Sequence, residues 1–333
     1  SFTSIRQFFL IKKIIKKLVK KIDYKNDTFI LLLSSLTQLL LMNIKEYAVV
    51  NSSVELCKKK KINSSPKLIN ATLRNFLRKK NYFLKEKVSF EDYPNWFCKN
   101  INNLNNREKK EFIKNINKQP SLHIVVKEKK YLKKYLKYGV NTSGNAIAIY
   151  SKFKFSDIPD FIKGEWWVQD FSAMLPLSLI SISKHKKIAD VGSAPGGKLF
   201  QILSKNNNVT SYEKNKKRII KLNENLKRLK FFKKVKTFDF LKENELNKFD
   251  LVVIDAPCSA IGTIRRHPEI FLKEKPNFKS LLDIQKKLLD KASSLLVKNG
   301  ILIYMVCSFF EIETTKQIYD FLKRNNNFFI TNF

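Results

Sequence analysis

Two of the four cysteines in this 333-residue chain, Cys258 and Cys307, stand in matching settings. Each closes an apolar run and each is followed by serine, in Asp255-Ala-Pro-Cys258-Ser and Tyr304-Met-Val-Cys307-Ser. Parallel α/β sheets bind ligands in the crevice outside the carboxyl ends of their strands. Two thiols delivered there suit chemistry in which sulfur is a nucleophile or a proton carrier. The cysteines show no C-x-x-C pair and no regular spacing, so neither a zinc site nor a disulfide framework is expected. Free thiols in a reducing, cytoplasmic setting are the natural reading.

Ahead of the cysteines, Asp190-Val-Gly192-Ser193-Ala194-Pro195-Gly196-Gly197-Lys198 runs from a strand pattern straight into a helical one. Glycines there let backbone N–H groups approach a ligand closely. Three ligands compete for such a loop. The glycine order does not fit the dinucleotide pattern G-x-G-x-x-G. A phosphate-binding P-loop fits as far as Lys198, but Leu199 stands where a Mg²⁺-binding hydroxyl is required, even though residues 251–255 could pose as the acidic strand of an ATPase. The third ligand is S-adenosylmethionine, with its methionine part over the glycine loop. Glu213, 23 residues after Asp190, would then take the ribose hydroxyls, near the roughly 20-residue spacing of ribose-binding acids. Asp239, closing the next strand, would reach the adenine edge. Either acid alone reads better as a solvated strand end; acids at three successive strand ends read better as a site.

The thiols favour the third ligand. A P-loop ATPase has no use for a cysteine at the end of each of two strands, whereas methylation of a pyrimidine carbon has. Cytosine C5 is a poor nucleophile until a thiolate adds at C6 and pushes electron density toward it. An acid near N3 would stabilise the charge that develops on the ring. A base must then remove the C5 proton so that the sulfur can leave.

The elements that must position these groups change character along the chain. Residues 1–86 read as helix after helix with almost no Gly or Pro, a small all-α domain. Within them, residues 8–22 form a basic amphipathic pattern with Ile11, Ile15, Leu18 and Ile22 on one face. The apolar stretch 29–42 is interrupted by Ser34, Ser35, Thr37 and Gln38 and is too short to span a bilayer, so a buried bundle helix is expected and no membrane association. Residues 87–164 mix helical patterns at 108–116 and 131–138 with strand candidates at 122–126 and 146–150, a small α+β connector. From 165 to 333, strand patterns at 187–191, 209–213, 235–239, 251–255 and 301–306 alternate with helical patterns at 216–229 and 278–297. That alternation implies a parallel sheet with helices on both faces, an α/β fold. The net charge of +36, from 65 Lys+Arg against 29 Asp+Glu, suits a polyanionic partner such as RNA. An AT-rich coding bias would raise lysine as well.

The strings at 190–198, Asp255-Ala-Pro-Cys258-Ser-Ala-Ile-Gly262, Arg265-Arg266-His267-Pro268-Glu269 and Cys307-Ser resemble the RsmB/Sun-type (Nol/Nop/Sun) RNA 5-methylcytosine methyltransferases. Trp167-Val-Gln169-Asp170 resembles the segment that precedes the first strand in that family. Residues 47–56 and 69–74 look like its NusB-like helical domain. The resemblance implies a Rossmann-like class I methyltransferase sheet preceded by an all-α NusB-like domain and the α+β connector. It implies Cys307 as the nucleophile at C6, Cys258 as assisting release of the adduct, Asp255 as contacting the cytosine and Lys198 as supporting the charged centre. Gly192 to Lys198, Glu213, Asp239 and Asp255 would hold S-adenosylmethionine, with no metal. A monomer acting on small-subunit rRNA is the implied enzyme. The alternatives are the same chemistry on tRNA or another rRNA site, and a NusB-like RNA-binding factor whose methyltransferase half is inactive. Arg265 and Arg266 would touch RNA backbone.

Several positions depart from that family. Gly192-Ser193 replaces Cys-Ala in the cofactor loop, and Glu213 replaces Asp with one more methylene. Behind the nucleophile, Glu311-Ile-Glu313-Thr314 keeps one acid in register with the family's Pro-Glu-Glu-Asn. Val125-Val126-Lys127 stands where an Arg-x-Asn string is expected. The chain begins with Ser and ends at Phe333, ahead of the family's final strands, so the methyltransferase domain reads as C-terminally truncated.

Overall fold

The computed structural model describes residues 2–331 apart from 24–25, 60–64, 102, 183–186, 232–238, 245 and 247. The chain divides into two compact units, Ser1–Gln119 with Thr263–Lys275, and Pro120–Gly262 with Pro276–Phe333.

The first unit is helical. Helix Phe8–Leu18 buries Ile11, Ile14 and Ile15 and leaves Lys16 and Lys17 exposed, as an apolar stripe at helical period requires. It ends earlier than residue 22: Val19 is extended, and its N–H closes onto the Ile15 carbonyl. Helix Asp27–Leu41 starts at Asn26, whose side chain accepts the Phe29 N–H. Its interior hydroxyls are satisfied, because Ser35 and Thr37 donate back to the Leu31 and Leu33 carbonyls and Ser35 Oγ lies 2.7 Å from Ser53 Oγ. With Glu46–Lys59 and Pro66–Arg78 these helices enclose one core that includes Leu32, Leu36, Leu73 and Phe76, and Cys57 is buried in it. Among the described residues no helix is long and apolar enough to cross a membrane.

The segment Thr263–Lys275 packs into this same unit. The Phe271 ring lies 4.9 Å from Phe97, 5.2 Å from Tyr93 and 5.7 Å from Phe9, centroid to centroid. Arg265 donates from Nε to the Lys118 carbonyl and from Nη2 to the Gln119 carbonyl, and its own carbonyl accepts from Arg6. The guanidinium expected to face RNA phosphate is therefore engaged with backbone oxygens.

Among its described residues the second unit holds two sheets. An antiparallel sheet has the order β2-β3-β1-β4, with β1 His123–Val126, β2 Gly139–Ser143, β3 Ala146–Ile149 and β4 Trp166–Val168. The strands β1 and β3 occupy the expected segments. The additional strand β4 places Trp167 in this sheet, paired with Val125. The parallel sheet has the order β6-β5-β7-β8, with β5 Ile188–Val191, β6 Val209–Tyr212, β7 Phe249–Asp255 and β8 Leu296–Met305. Four of the expected strands are these; the one at 235–239 lies outside the described residues except for Asp239. Along β7 the side chains alternate faces. Leu251 and Val253 pack with Leu199, Leu222 and Leu226, while Val252 and Ile254 pack with Leu288, Leu289 and Phe321. Both faces are thus covered by helices, which is why the strands read as continuous apolar runs. The chain passes from β5 to β6 on one side and to β7 on the other, so the crevice at the carboxyl end of β5 is a topological switch point.

Candidate active site

The turn after β5 is shaped by glycines where no side chain fits. Gly192 has φ +80°, and a Cβ there would stand 2.6 Å from the Asp255 carbonyl oxygen. Gly196 has φ +119°, and a Cβ would meet the Phe200 ring at 2.0 Å. Backbone bonds fasten the turn, with the Gly192 and Ser193 N–H groups both donating to the Tyr212 carbonyl. Beneath it runs a buried amide chain: Trp167 Nε1 donates to Gln169, Gln169 to Gln201, and Gln201 to the Met174 carbonyl. This gives the Trp167-Val-Gln169 string a physical role, because Gln169 is the side chain that a Cβ at Gly197 would touch.

Around the turn stand acids with spare acceptor capacity. Asp190 is fully buried, and among the described residues neither carboxyl oxygen has a hydrogen bond of ordinary geometry. Burial pushes its pKa up to about 6, with nearby Ser193 and the Lys198 charge pulling the other way. Glu213 directly follows β6 and is 5% exposed. One of its oxygens accepts the Asn215 N–H at 3.0 Å, while the other lies 3.4 Å from Arg218 Nη1 with no hydrogen bond. Arg218 also donates to the Ala194 carbonyl, so one guanidinium spans the glycine turn and the acid. Buried oxygens without donors are costly. They fit a bound group that brings hydroxyl donors, as the adenosine part of S-adenosylmethionine does. Asp239 follows the undescribed stretch and accepts the Leu241 N–H at 3.2 Å.

At the carboxyl ends of the adjacent strands β7 and β8, Cys258 Sγ and Cys307 Sγ are 3.3 Å apart. Cys258 is half-buried and Cys307 exposed. The hydrogen bond from Cys258 holds the Cys307 thiol below its ordinary range, against burial and the Asp255 charge, and the same bond with burial pushes Cys258 well above. The pair thus gives up its first proton easily and its second reluctantly. Beside it, Lys198 Nζ pairs with Asp255 Oδ2 at 2.6 Å. Cys258, Cys307, Asp255 and Lys198, separated by up to 109 positions in sequence, are brought to one sheet end. Two further groups, Arg218 and Gln285, have no signal in the sequence. Glu313 and the serines Ser259 and Ser308 stand in the strings already singled out, but only the fold joins them, for both serines donate to Glu313.

With this geometry established, the chain was compared with known proteins. The family described as 16S rRNA methyltransferase RsmB/F matches residues 177–333, and the NusB family matches residues 3–78. The chain is 32% identical over 316 residues to ribosomal RNA small subunit methyltransferase B of Photorhabdus laumondii, covering 89% of this chain and 74% of that one. It is 30% identical over 342 residues to the protein of the same name from Pasteurella multocida, covering 95% and 76%. Among solved structures, that of PH0851 superposes with a TM-score of 0.74 at 19% identity over 97% of this chain and 79% of that one. A methyltransferase homolog from Pyrococcus horikoshii gives 0.60 at 22% identity, over 70% and 79%. These two structures share the fold.

Proposed function

Since this chain belongs to the RsmB/F family of S-adenosylmethionine-dependent RNA methyltransferases, we propose that it methylates C5 of a cytosine in small-subunit rRNA through a cysteine adduct at C6. The observation that carries this reading is the thiol pair at 3.3 Å, set at the ends of adjacent parallel strands beside the Lys198–Asp255 ion pair. The NusB match and the names of the relatives support small-subunit rRNA as the substrate. A base in structured RNA must leave its stack to reach such a crevice.

In this mechanism Cys307, the more exposed and more acidic thiol, adds as thiolate to C6. The sulfur–carbon bond forms as the electron pair of the C5–C6 double bond moves toward C5. Asp255 contacts the ring, and the Lys198 ammonium paired with it brings positive charge toward the negative charge that develops there. S-adenosylmethionine, when bound, supplies an electrophilic methyl group. Gly192 to Lys198, Glu213 and Asp239 would hold it, with Arg218 fixing the turn to the acid. A base then takes the C5 proton, the freed pair restores the ring double bond, and the pair of the sulfur–carbon bond returns to Cys307. The Cys258 S–H stabilises the departing thiolate.

The test is methyl transfer from labelled cofactor to unmodified small-subunit rRNA. Cys307→Ala is expected to lower the rate by about a thousandfold or more, as loss of a nucleophile does. Cys258→Ala is expected to accumulate a protein–RNA adduct stable to denaturation. Methyl transfer that survives Cys307→Ala overturns the assignment of the nucleophile.

A further inference from the structure

Glu313 is fully buried, at 0% exposure, in the short helical turn Glu311–Glu313 behind the nucleophile loop. A carboxylate survives such burial only if donors fill its oxygens. Here they do. Oε1 accepts the Ser259 N–H at 2.8 Å and Gln285 Nε2 at 3.3 Å, and Oε2 accepts the hydroxyls of Ser259 at 2.5 Å and Ser308 at 2.6 Å. The donors are not a random set. Ser259 directly follows Cys258 and Ser308 directly follows Cys307. Gln285 also donates to the carbonyl of Pro257, which directly precedes Cys258, at 2.9 Å. Glu313 is itself fixed, because its carbonyl accepts the Tyr304 hydroxyl at 2.9 Å.

We propose that Glu313 is a positioning residue that sets the separation of the two thiols by gathering both Cys-Ser turns on one carboxylate. Backbone bonds already tie the loops together at Ala256 to Met305 and Gly262 to Cys307, and Ser259 Oγ lies 3.3 Å from Ser308 Oγ. The carboxylate anchors that serine pair and the Ser259 N–H to one buried point, which fixes the backbone next to each thiol, and a misplacement of about 1 Å can cost a hundredfold in rate. The proposal deepens the methyltransferase reading and rests on it, since the separation matters for turnover only if these thiols react.

The experiment uses the full chain with Glu313→Gln, which keeps the shape but turns an NH₂ toward groups that now donate. The probe is phenylarsine oxide, which condenses with two adjacent thiols, forming two As–S bonds and releasing water. Its affinity is expected to fall about tenfold or more, a loss of roughly 1.4 kcal/mol, while S-adenosylmethionine affinity stays within twofold and iodoacetamide still alkylates Cys307. The kcat of methyl transfer is expected to fall with the cofactor KM unchanged. Wild-type arsenical affinity in Glu313→Gln overturns the proposal. If that variant loses cofactor binding and so does not fold, the Ser259→Ala, Ser308→Ala double variant carries the same measurement with the same two outcomes. Arsenical binding needs no RNA and no methyl transfer, so an inactive wild-type chain would sink the methylation reading while leaving this result standing.

Discussion

At the carboxyl ends of β5 and β6, buried oxygens of Asp190 and Glu213 stand without donors, whereas behind β7 and β8 both oxygens of Glu313 are filled by the chain itself. The two halves of one crevice therefore follow opposite rules. The half that would hold the cofactor leaves polar capacity unspent, so that a ligand can complete it. The half that would perform the reaction fills its buried carboxylate itself, although Gln285 Oε1 beside it stays without a donor, and two sulfurs are held 3.3 Å apart before any substrate arrives. Preorganisation matters where bonds are made, because reacting groups that must first be ordered forfeit rate. Unsatisfied acceptors matter where binding must be selective, because only a ligand with the right donors removes their penalty.

The largest test of this contrast is Gly192→Ala. The position has φ +80°, and the new Cβ would collide with the Asp255 carbonyl oxygen. The turn must shift, and cofactor affinity is expected to fall on the order of a thousandfold, about 4 kcal/mol, as read by calorimetry. Arsenical affinity at the thiol pair should hold within a fewfold. Equal losses at both halves would show that they are one mechanical unit and remove the contrast.

Asp190 supplies the next test, through pH. Its folded pKa of about 6 lies above the unfolded value of about 3.9. The folded state therefore binds more protons between those values, and the contribution of this group to stability is fully present below about 3.9 and lost as pH rises through 6. The loss is at most about 3 kcal/mol, from roughly two pKa units. Denaturant titrations of the ligand-free chain between pH 4 and 7 should show it, and Asp190→Asn should flatten the profile. A profile unchanged by Asp190→Asn would mean that the buried carboxyl already has a donor, and the cofactor half would no longer count as unfilled.

Much of this arrangement was legible beforehand, and the misses share a cause. The runs at 187–191 and 251–255 announced buried parallel strands, because a sheet covered on both faces permits no polar alternation. The glycine turn was legible because positive φ selects glycine. The strand β4 spans only Trp166–Val168 and β2 is largely exposed, so neither offered a period to read. For Arg265 an RNA contact and a solvated loop read alike in the sequence, and its bonds to the Lys118 and Gln119 carbonyls span 146 positions and more, which no local pattern shows. In the sequence Glu313 stands in a string that keeps one acid in register with the family, with no role attached to it. Its importance lies in four donors from three segments, which no local pattern contains.

The smallest expected effect is the most selective. Arg218 is half-exposed and joins the cofactor half alone, through the Ala194 carbonyl and Glu213. In Arg218→Ala the glycine turn loses a tether and Glu213 loses the charge that faces its unfilled oxygen. An exposed guanidinium is screened by water, so the pair contributes little to overall stability. Its value lies in holding two parts of a binding surface at a fixed distance, and cofactor affinity should fall roughly tenfold, about 1.4 kcal/mol. The thiol half has no bond to Arg218 and should keep its arsenical affinity and its alkylation profile unchanged. A shift in either thiol measurement would mean that the turn transmits strain across β5 to β7 and β8, and the division between a half that awaits its ligand and a half that is already complete would fail at its seam.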